Sequence, residues 1–367
     1  MLFTSLRTAA FRNLSDREIF IGAKDVFLVG NNGQGKSNFL EALYFCAYAS
    51  SFRTVHDNEI TRNSEKDFSA QVKISESIND EILVKFENKK KSIFINGKPA
   101  EDRKELLLIA PSIVFCHEDM EFVSGTPEKR RWFFDQTLSL YDPVYLDDLR
   151  RYKKILKTRN TVLRDTSLNK FTGNPGSVLD ALDPQFAVYG LRIMKKREKA
   201  VQDFSNLFGN LYEEVSGITG ITVRYVHSWK TTSYDQAAEK EIIFNLQERR
   251  AQEMAAGISL SGPHRDRYIY SHNGFDFTVN ASTGQKRLLA LLLRAAQARR
   301  FSEMTGLNPV LLLDDVLLEM DGEKRRRFIS VLPSYDQAFY TFLPDEPYQR
   351  YQKDDTLVYN VIAGVLT

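Results

Sequence analysis

The run Gly30-Asn31-Asn32-Gly33-Gln34-Gly35-Lys36-Ser37 spells G-x-x-x-x-G-K-S, a spacing suited to holding phosphate. Its glycines let successive backbone N–H groups turn inward around a β-phosphate, and the helix that follows adds the positive end of its dipole. Lys36 has the reach to neutralise the β- and γ-phosphates, and the Ser37 hydroxyl suits a Mg²⁺ ion. Such a loop works only between a strand and a helix. The apolar run Val26-Phe27-Leu28-Val29 before it and the helix-forming stretch from Ser37 to Tyr48 after it predict both. Much further along, Val310-Leu311-Leu312-Leu313 is a second buried-strand pattern, and it ends in Asp314-Asp315. Asp314 is the expected second holder of the metal, which leaves Asp315 beside the γ-phosphate to activate or position water. Apolar strands ending in acids are common, so this run takes its meaning from the loop it accompanies. Together they predict ATP and Mg²⁺ as ligands.

These residues need a scaffold, which the chain supplies in three stretches. Residues 1–125 open as strand, turn, strand, carry the phosphate loop, and then alternate in short segments between Phe68 and Ile95, with Asn96-Gly97 as a hairpin signal. An antiparallel sheet flanking the nucleotide site is expected there. Residues 126–217 change to long helical periodicity, first through about Asp165 and again from about Asp183 to Ser216, with the Gly/Ser/Pro-bearing stretch Phe171 to Ser177 between them. That texture predicts an inserted antiparallel helical arm. Residues 218–367 return to strand at Ile221, give a helix near Glu239 to Ala255 and then alternate strands with helices to the end. The expected class is α/β: a P-loop ATPase head with a mixed sheet and a flanking antiparallel β layer, carrying an inserted α-helical arm domain. Sustained heptads, internal repeats and low-complexity tracts are absent.

Composition narrows the partners only locally. The 367 residues are 43% hydrophobic, enough for a substantial core in two lobes, and a net charge of +2 provides no global field for nucleic acid or membrane. Between Lys129 and Arg164, however, ten basic residues stand against four acids, with Tyr145 and Tyr152 interleaved. Arg150, Arg151, Lys153 and Lys154 in that stretch are the candidate DNA phosphate contacts, although a charge run on a helix is more often a solvated face. Cys46 and Cys116 lie in apolar surroundings and are expected as buried, reduced thiols. The arginines at 7, 12 and 17 break any signal-peptide core, and no segment approaches the length of a membrane span, so a cytoplasmic location is expected.

One further motif places the chain in a class. Ala281-Ser282-Thr283-Gly284-Gln285-Lys286-Arg287 carries S-x-G-Q at a helix start, about 30 residues before the acid strand. Alone this is an ordinary N-cap; with the other two motifs in this order it resembles the signature sequence of ABC-type ATPases. The resemblance implies that Ser282, Gly284 and Gln285 serve the nucleotide held by a second copy, so that ATP joins a head-to-tail homodimer. Leu318-Glu319-Met320-Asp321 resembles the D-loop of this class, with Glu323 to Arg327 opening a helix after it. Gln337 to Phe342 occupies the position where many such proteins place a switch histidine. No histidine is there, which implies slow turnover.

Longer stretches are similar to the bacterial RecF family: Ser51-Phe52-Arg53-Thr54, Glu118-Asp119 with Gly125 to Arg131, Leu260 to Asp266, and Leu311 to Val316. The likeness runs from the first strand to about Leu343; Pro344 to Thr367 and Phe171 to Ser177 resemble nothing useful. It implies an ATP-dependent clamp on gapped DNA or single-strand/double-strand junctions, with weak DNA-stimulated ATPase activity. With RecO and RecR such a clamp helps load recombinase in repair, replication restart and the SOS response. Arg53 could face DNA or nucleotide, or simply form a surface ion pair. His264 reads either as catalytic or as a hydrogen-bonded positioner. A Rad50/SMC-type head shares these motifs but needs hundreds of residues of coiled coil, and a transporter ATPase subunit would normally carry the switch histidine. A binding module with a dead site is the remaining alternative.

Overall fold

The structure, a computed structural model, describes residues 2–63, 65–75, 81–231, 233–317, 320 and 322–367. Along the chain the first elements are β1 (Phe3–Ala9), β2 (Glu18–Phe20), β3 (Asp25–Val29), α1 (Lys36–Tyr48), β4 (Phe68–Ile74), β5 (Glu81–Glu87), β6 (Lys90–Ile95), β7 (Lys98–Pro99) and β8 (Ser112–Phe115). A largely helical stretch follows: α2 (Glu121–Ser124), α3 (Pro127–Tyr141), α4 (Pro143–Ser167), α5 (Pro175–Ser216), β9 (Ile221–Val226), α6 (Gln236–Glu248), α7 (Arg250–Ala256), β10 (Arg267–His272), β11 (Phe275–Asp276) and α8 (Phe277–Asn280). The chain closes with α9 (Thr283–Thr305), β12 (Val310–Leu313), α10 (Gly322–Val331), β13 (Gln337–Phe342), β14 (Leu357–Ile362) and β15 (Val365–Leu366). It divides into two compact units, Met1–Asp119 with Ala290–Thr367, and Met120–Leu289.

The first unit has two six-stranded sheets. One, in the order β15-β14-β3-β13-β12-β8, is parallel except for β15. Its strands β3, β8, β12 and β13 are buried along their whole length, as parallel strands covered on both faces must be, which explains their unbroken apolar sequence. The other, β2-β1-β4-β5-β6-β7, is antiparallel, and β4 and β5 alternate buried with partly exposed residues. Helix α1 contacts strands of both sheets, so almost every residue of it is buried, including Cys46. Its Phe45 meets Phe68 of the antiparallel sheet at 5.3 Å between ring centroids. Both cysteines are free and buried.

In the second unit α4 packs along α5, and the antiparallel sheet β11-β10-β9 lies on α5 and α3. Two buried ionic clusters tie it together. Arg197 pairs with Asp135 at 2.8 Å and Asp266 at 3.1 Å; Arg159, wholly buried, pairs with Asp183 at 2.9 Å and Glu253 at 2.6 Å. Breaking one partner of such a pair typically costs about 3–5 kcal/mol, because it strands a buried charge.

Two sequence-based boundaries differ from these units. The stretch from 218 to 289, expected with the head, clusters with the helices, because β9 packs on α5 and Val223 donates its N–H to Ser205 Oγ at 2.9 Å. Helix α5 starts at Pro175 rather than near Asp183: Asn174 Oδ1 accepts from the Gly176 and Ser177 N–H groups, and the proline occupies the first turn, where its missing N–H has no intrahelical use. What reads as a linker is a helix cap. Of the D-loop residues, Leu318, Glu319 and Asp321 lie outside the described residues.

Candidate nucleotide site

The loop of residues 30–37 joins β3 to α1, the context the motif requires. Gly33 and Gly35 have φ of +77° and +115°, and Gly35 caps the helix in a left-handed conformation that a side chain would strain. A Cβ on Gly35 would also lie 2.9 Å from Asn13 Oδ1. Gly30 is constrained differently: its Cβ would lie 2.5 Å from the backbone oxygen of Val361. Asn31, Asn32 and Gly33 form the exposed lip, while Lys36 is buried and donates to the carbonyls of Gly30 at 2.7 Å and Asn31 at 3.2 Å. The ammonium is thereby held against the loop by two of its backbone carbonyls.

Across the sheet, the parallel register of β12 with β13 and of β13 with β3 brings the end of the acid strand level with the loop. Ser37 donates its hydroxyl proton to Asp314 Oδ1 at 2.8 Å, over 277 residues of sequence. Burial, then the neighbouring charge of Asp315, pushes the Asp314 carboxyl up to about 6, against the hydrogen bond from Ser37 and the charge of Arg53. Asp315 stands in the left-handed region at φ +52°. Its N–H donates to Thr341 Oγ1 at 2.7 Å, and the Thr341 hydroxyl lies 2.7 Å from Asp315 Oδ1. A hydroxyl and a carboxylate in contact, with phosphate to complete the shell, fit Mg²⁺, which binds through one or two carboxylates plus phosphate oxygens and waters. Among the described residues no cluster of three His, Cys, Asp or Glu offers an all-protein cage instead.

Arg53 donates to Asn38 Oδ1 at 2.7 Å and stands 3.5 Å from buried Glu41. Glu41 also grips Arg12 through two bonds, at 3.0 and 2.9 Å.

The C-terminal stretch, without any legible role in the sequence, reaches the loop. Residues Ala363 and Gly364 turn between β14 and β15 with positive φ, and their N–H groups donate to Gln34 Oε1 and Gln34 O, each at 2.7 Å. The apolar run of β14 could have announced a strand beside β3; nothing local announced the turn's contact with the loop.

In the second unit Ser282 and Gln285 form a reciprocal cap at the start of α9: the Ser282 N–H donates to Gln285 Oε1 at 2.8 Å, and the Gln285 N–H to Ser282 Oγ at 3.2 Å. Ser282, Thr283 and Gly284 are exposed. A Cβ on Gly284 would meet nothing within 4 Å, and its φ is not positive. This chain's own backbone therefore gives no reason for a glycine there.

The basic stretch is only partly a surface. Arg150, Arg151, Lys153 and Lys154 are exposed on α4, with Arg150 3.9 Å from Asp147 and Arg151 donating to the Tyr189 hydroxyl at 2.9 Å. Arg159 is buried, Arg130 and Arg131 donate to the carbonyls of Tyr268 and Asp266, and Tyr145 and Tyr152 are core residues, so neither ring is open to a base. His264 is a buried ring with hydrogen bonds on both nitrogens. Its Nδ1 accepts from the Tyr152 hydroxyl at 2.8 Å, its Nε2 donates to the Ser259 carbonyl at 3.2 Å, and burial lowers its pKa to about 4, so the ring is neutral.

Comparison with known proteins bears on the same arrangement. Residues 2–356 match the family model described as the RecF/RecN/SMC N-terminal domain. The chain is 42% identical over 356 residues to the DNA replication and repair protein RecF of Treponema pallidum (strain Nichols), covering 96% of this chain and 97% of that protein. The chain belongs to the RecF family. A solved structure of the recombination mediator protein RecF with ATP, in the RecFOR pathway, superposes with a TM-score of 0.86 at 26% identity, covering 100% of this chain and 96% of that one. An Smc head bound to the C-winged helix domain of ScpA shares the fold at a TM-score of 0.53 and 15% identity, over 100% of this chain and 96% of that one. The α/β class with an ABC-type head is thus that of RecF and Smc heads. None of the helices among the described residues is long and apolar enough to cross a membrane.

Proposed function

We infer that this chain binds ATP·Mg²⁺, pairs with a second copy through that nucleotide, hydrolyses it slowly, and uses the cycle to clamp and release DNA. Gapped DNA or single-strand/double-strand junctions are the proposed substrate. RecR- and RecO-type mediators are the proposed partners in loading recombinase during repair and replication restart, in the cytoplasm. The observation that carries the reading is the exposed Ser282–Gly284 step at the head of α9. Ser282 Oγ accepts within its own cap and keeps its proton for another acceptor, while the helix N-terminus favours an anion. Gly284 leaves room for close approach that this chain does not itself use.

Within one site, Lys36 and the loop N–H groups hold the β- and γ-phosphates. Ser37 and Asp314 would hold Mg²⁺, which would offset the negative charge of the phosphates. An oxygen of Asp315 takes a proton from water as the water oxygen attacks the γ-phosphorus; the bond to the β-phosphate oxygen breaks, and ADP leaves with the electron pair. The bound nucleotide of the relative supports ATP as ligand, and the exposed lysines and arginines of α4 support sequence-independent phosphate contact.

The test mixes two inactive variants. Lys36→Met removes the charge that balances phosphate, and Ser282→Arg blocks the approach of a second copy while sparing the monomer's own loop. In a head-to-tail pair one composite site carries both lesions and the other carries neither. Recovered ATPase activity in the mixture, with ATP-dependent dimers in sedimentation, is the expected result. A mixture no more active than its components, at concentrations where the parent dimerises, refutes the shared site.

A further inference from the structure

We propose that Thr341 is the residue that positions Asp315 for hydrolysis, taking the station at the end of β13 where ABC-type ATPases commonly carry a histidine. The proposal rests on the reading of Asp315 as the base that faces the γ-phosphate. Strand β13 runs parallel to β12, pairing Tyr340 with Leu313, so the next residue along, Thr341, stands level with Asp314 and Asp315. Its side chain is buried, and its hydroxyl oxygen accepts the Asp315 N–H at 2.7 Å. The hydroxyl proton is directed at Asp315 Oδ1, at 2.7 Å, with Asp314 Oδ1 at 3.4 Å.

One hydroxyl thus fixes both the main chain and the carboxylate of the same residue. That matters because Asp315 adopts φ +52°, a conformation sparsely populated by residues other than glycine, although aspartate and asparagine tolerate it best. Such an outlier persists only where its surroundings determine it, and such outliers cluster at functional sites. Here the determinant is a bond from a side chain 26 residues away. The turn aims the two adjacent carboxylates apart in role: Asp314 Oδ1 takes the Ser37 proton, and Asp315 Oδ1 takes the Thr341 proton. Asp315 Oδ2 is then the oxygen assigned to the water. Thr341 exchanges no proton with substrate in this scheme; it is a positioning residue. A threonine hydroxyl can hold a carboxylate in place but, unlike an imidazole, cannot carry positive charge toward the γ-phosphate, which agrees with the slow turnover proposed above.

The experiment uses the full-length chain with ATP and Mg²⁺, measuring nucleotide affinity by fluorescence titration and single-turnover phosphate release at saturating ATP. Thr341→Val keeps the shape and removes both bonds, whereas Thr341→Ser keeps the hydroxyl. We expect Thr341→Val to slow release by about tenfold or more while affinity stays within about twofold, and Thr341→Ser to restore most of the rate. In an Asp315→Asn background, adding Thr341→Val should change the residual rate by less than about twofold, because a residue that acts through Asp315 has nothing left to position. Parental release by Thr341→Val, equal losses of rate and affinity, failure of Thr341→Ser to rescue, or full additivity with Asp315→Asn would each overturn the proposal. Parental release by Asp315→Asn would overturn the base assignment itself, and the Thr341 proposal with it. An inactive Asp315→Asn beside an unimpaired Thr341→Val would remove Thr341 alone.

Discussion

Replacing Asp314 by Asn should make the nucleotide-free protein more stable at alkaline pH while destroying its response to Mg²⁺ and ATP. In the fold, burial and the charge of Asp315 raise the carboxyl from its usual 3.8 to about 6. A carboxyl with a raised folded-state pKa opposes folding once it is ionised. The penalty is fully present above pH 6 and is relieved as pH falls from about 6 toward 3.8, where the native state binds the proton first. At about 1.36 kcal/mol per decade, the gap between 3.8 and about 6 is worth about 3 kcal/mol at pH 8. Asn removes the charge and can still accept the Ser37 hydroxyl proton, so most of that sum should appear as stability, about 1–3 kcal/mol. Denaturant melts of parent and Asp314→Asn in EDTA, at pH 8 and at pH 5, test this: the variant should lead at pH 8, and the gap should shrink at pH 5. Adding Mg²⁺ and ATP should reverse the order, since only the parent gains the stabilisation that ligand binding confers. A variant less stable than the parent at pH 8, or a gap independent of pH, would refute the reasoning that the site stores an unpaired charge for the metal to neutralise.

Neutralising Arg150, Arg151, Lys153 and Lys154 to Gln should weaken DNA binding on every sequence alike and reduce the salt slope by about 0.9 for each phosphate that is no longer neutralised, as read by anisotropy titrations across a salt series; an unchanged slope returns α4 to a solvated face. Gly364→Ala should weaken ATP binding by about tenfold or more, because its Cβ would lie 1.8 Å from the backbone oxygen of Asn13 and its φ is +79°, which moves the turn that holds Gln34. Parental affinity in a fluorescent-nucleotide titration would show that the C-terminal turn does not brace the loop.

What the sequence discloses about this molecule follows from distance along the chain. The phosphate loop and the acid strand are legible because each motif sits where an apolar strand meets a turn, and strand burial on both faces leaves an unbroken apolar run. The contact between Ser37 and Asp314 could be anticipated only because two motifs of one mechanism must meet. Thr341 lay inside a stretch notable in the sequence for the histidine it lacks, and the hydroxyl's two bonds exist only once β12 and β13 are in register. The turn at Ala363 and Gly364 is farther still, since its partner Gln34 is 329 residues away in one of the two bonds. Charge counting overstates the exposed basic surface for a related reason. Arg159 belongs to the same basic run as Lys157, yet its acids, Asp183 and Glu253, come from elsewhere in the sequence and draw it into the core. Tyr145 and Tyr152 follow it there, since the helix face that carries them is the one α4 turns inward.

The glycines divide along a different line. At Gly30, Gly35 and Gly364 the chain itself supplies the reason for glycine: a carbonyl of β14 beside Gly30, an Asn13 side chain beside Gly35, and the Asn13 backbone beside Gly364. Any side chain there would collide with this molecule, so these positions would be glycine in a monomer that never met a partner. Gly284 is the opposite case. It has ordinary backbone angles and open space where a Cβ would go, in the first turn of a helix, where glycine is less favourable than alanine. A residue that lowers helix stability and relieves no collision within its own chain is best explained by a surface that must come very near from outside. The adjoining exposed Ser282 hydroxyl and helix N-terminus give that surface the character of an anion. Under the proposed shared-site reading the loop that holds the anion is Gly30 to Ser37, and the object expected to approach Gly284 is another copy of this chain with its phosphates in place.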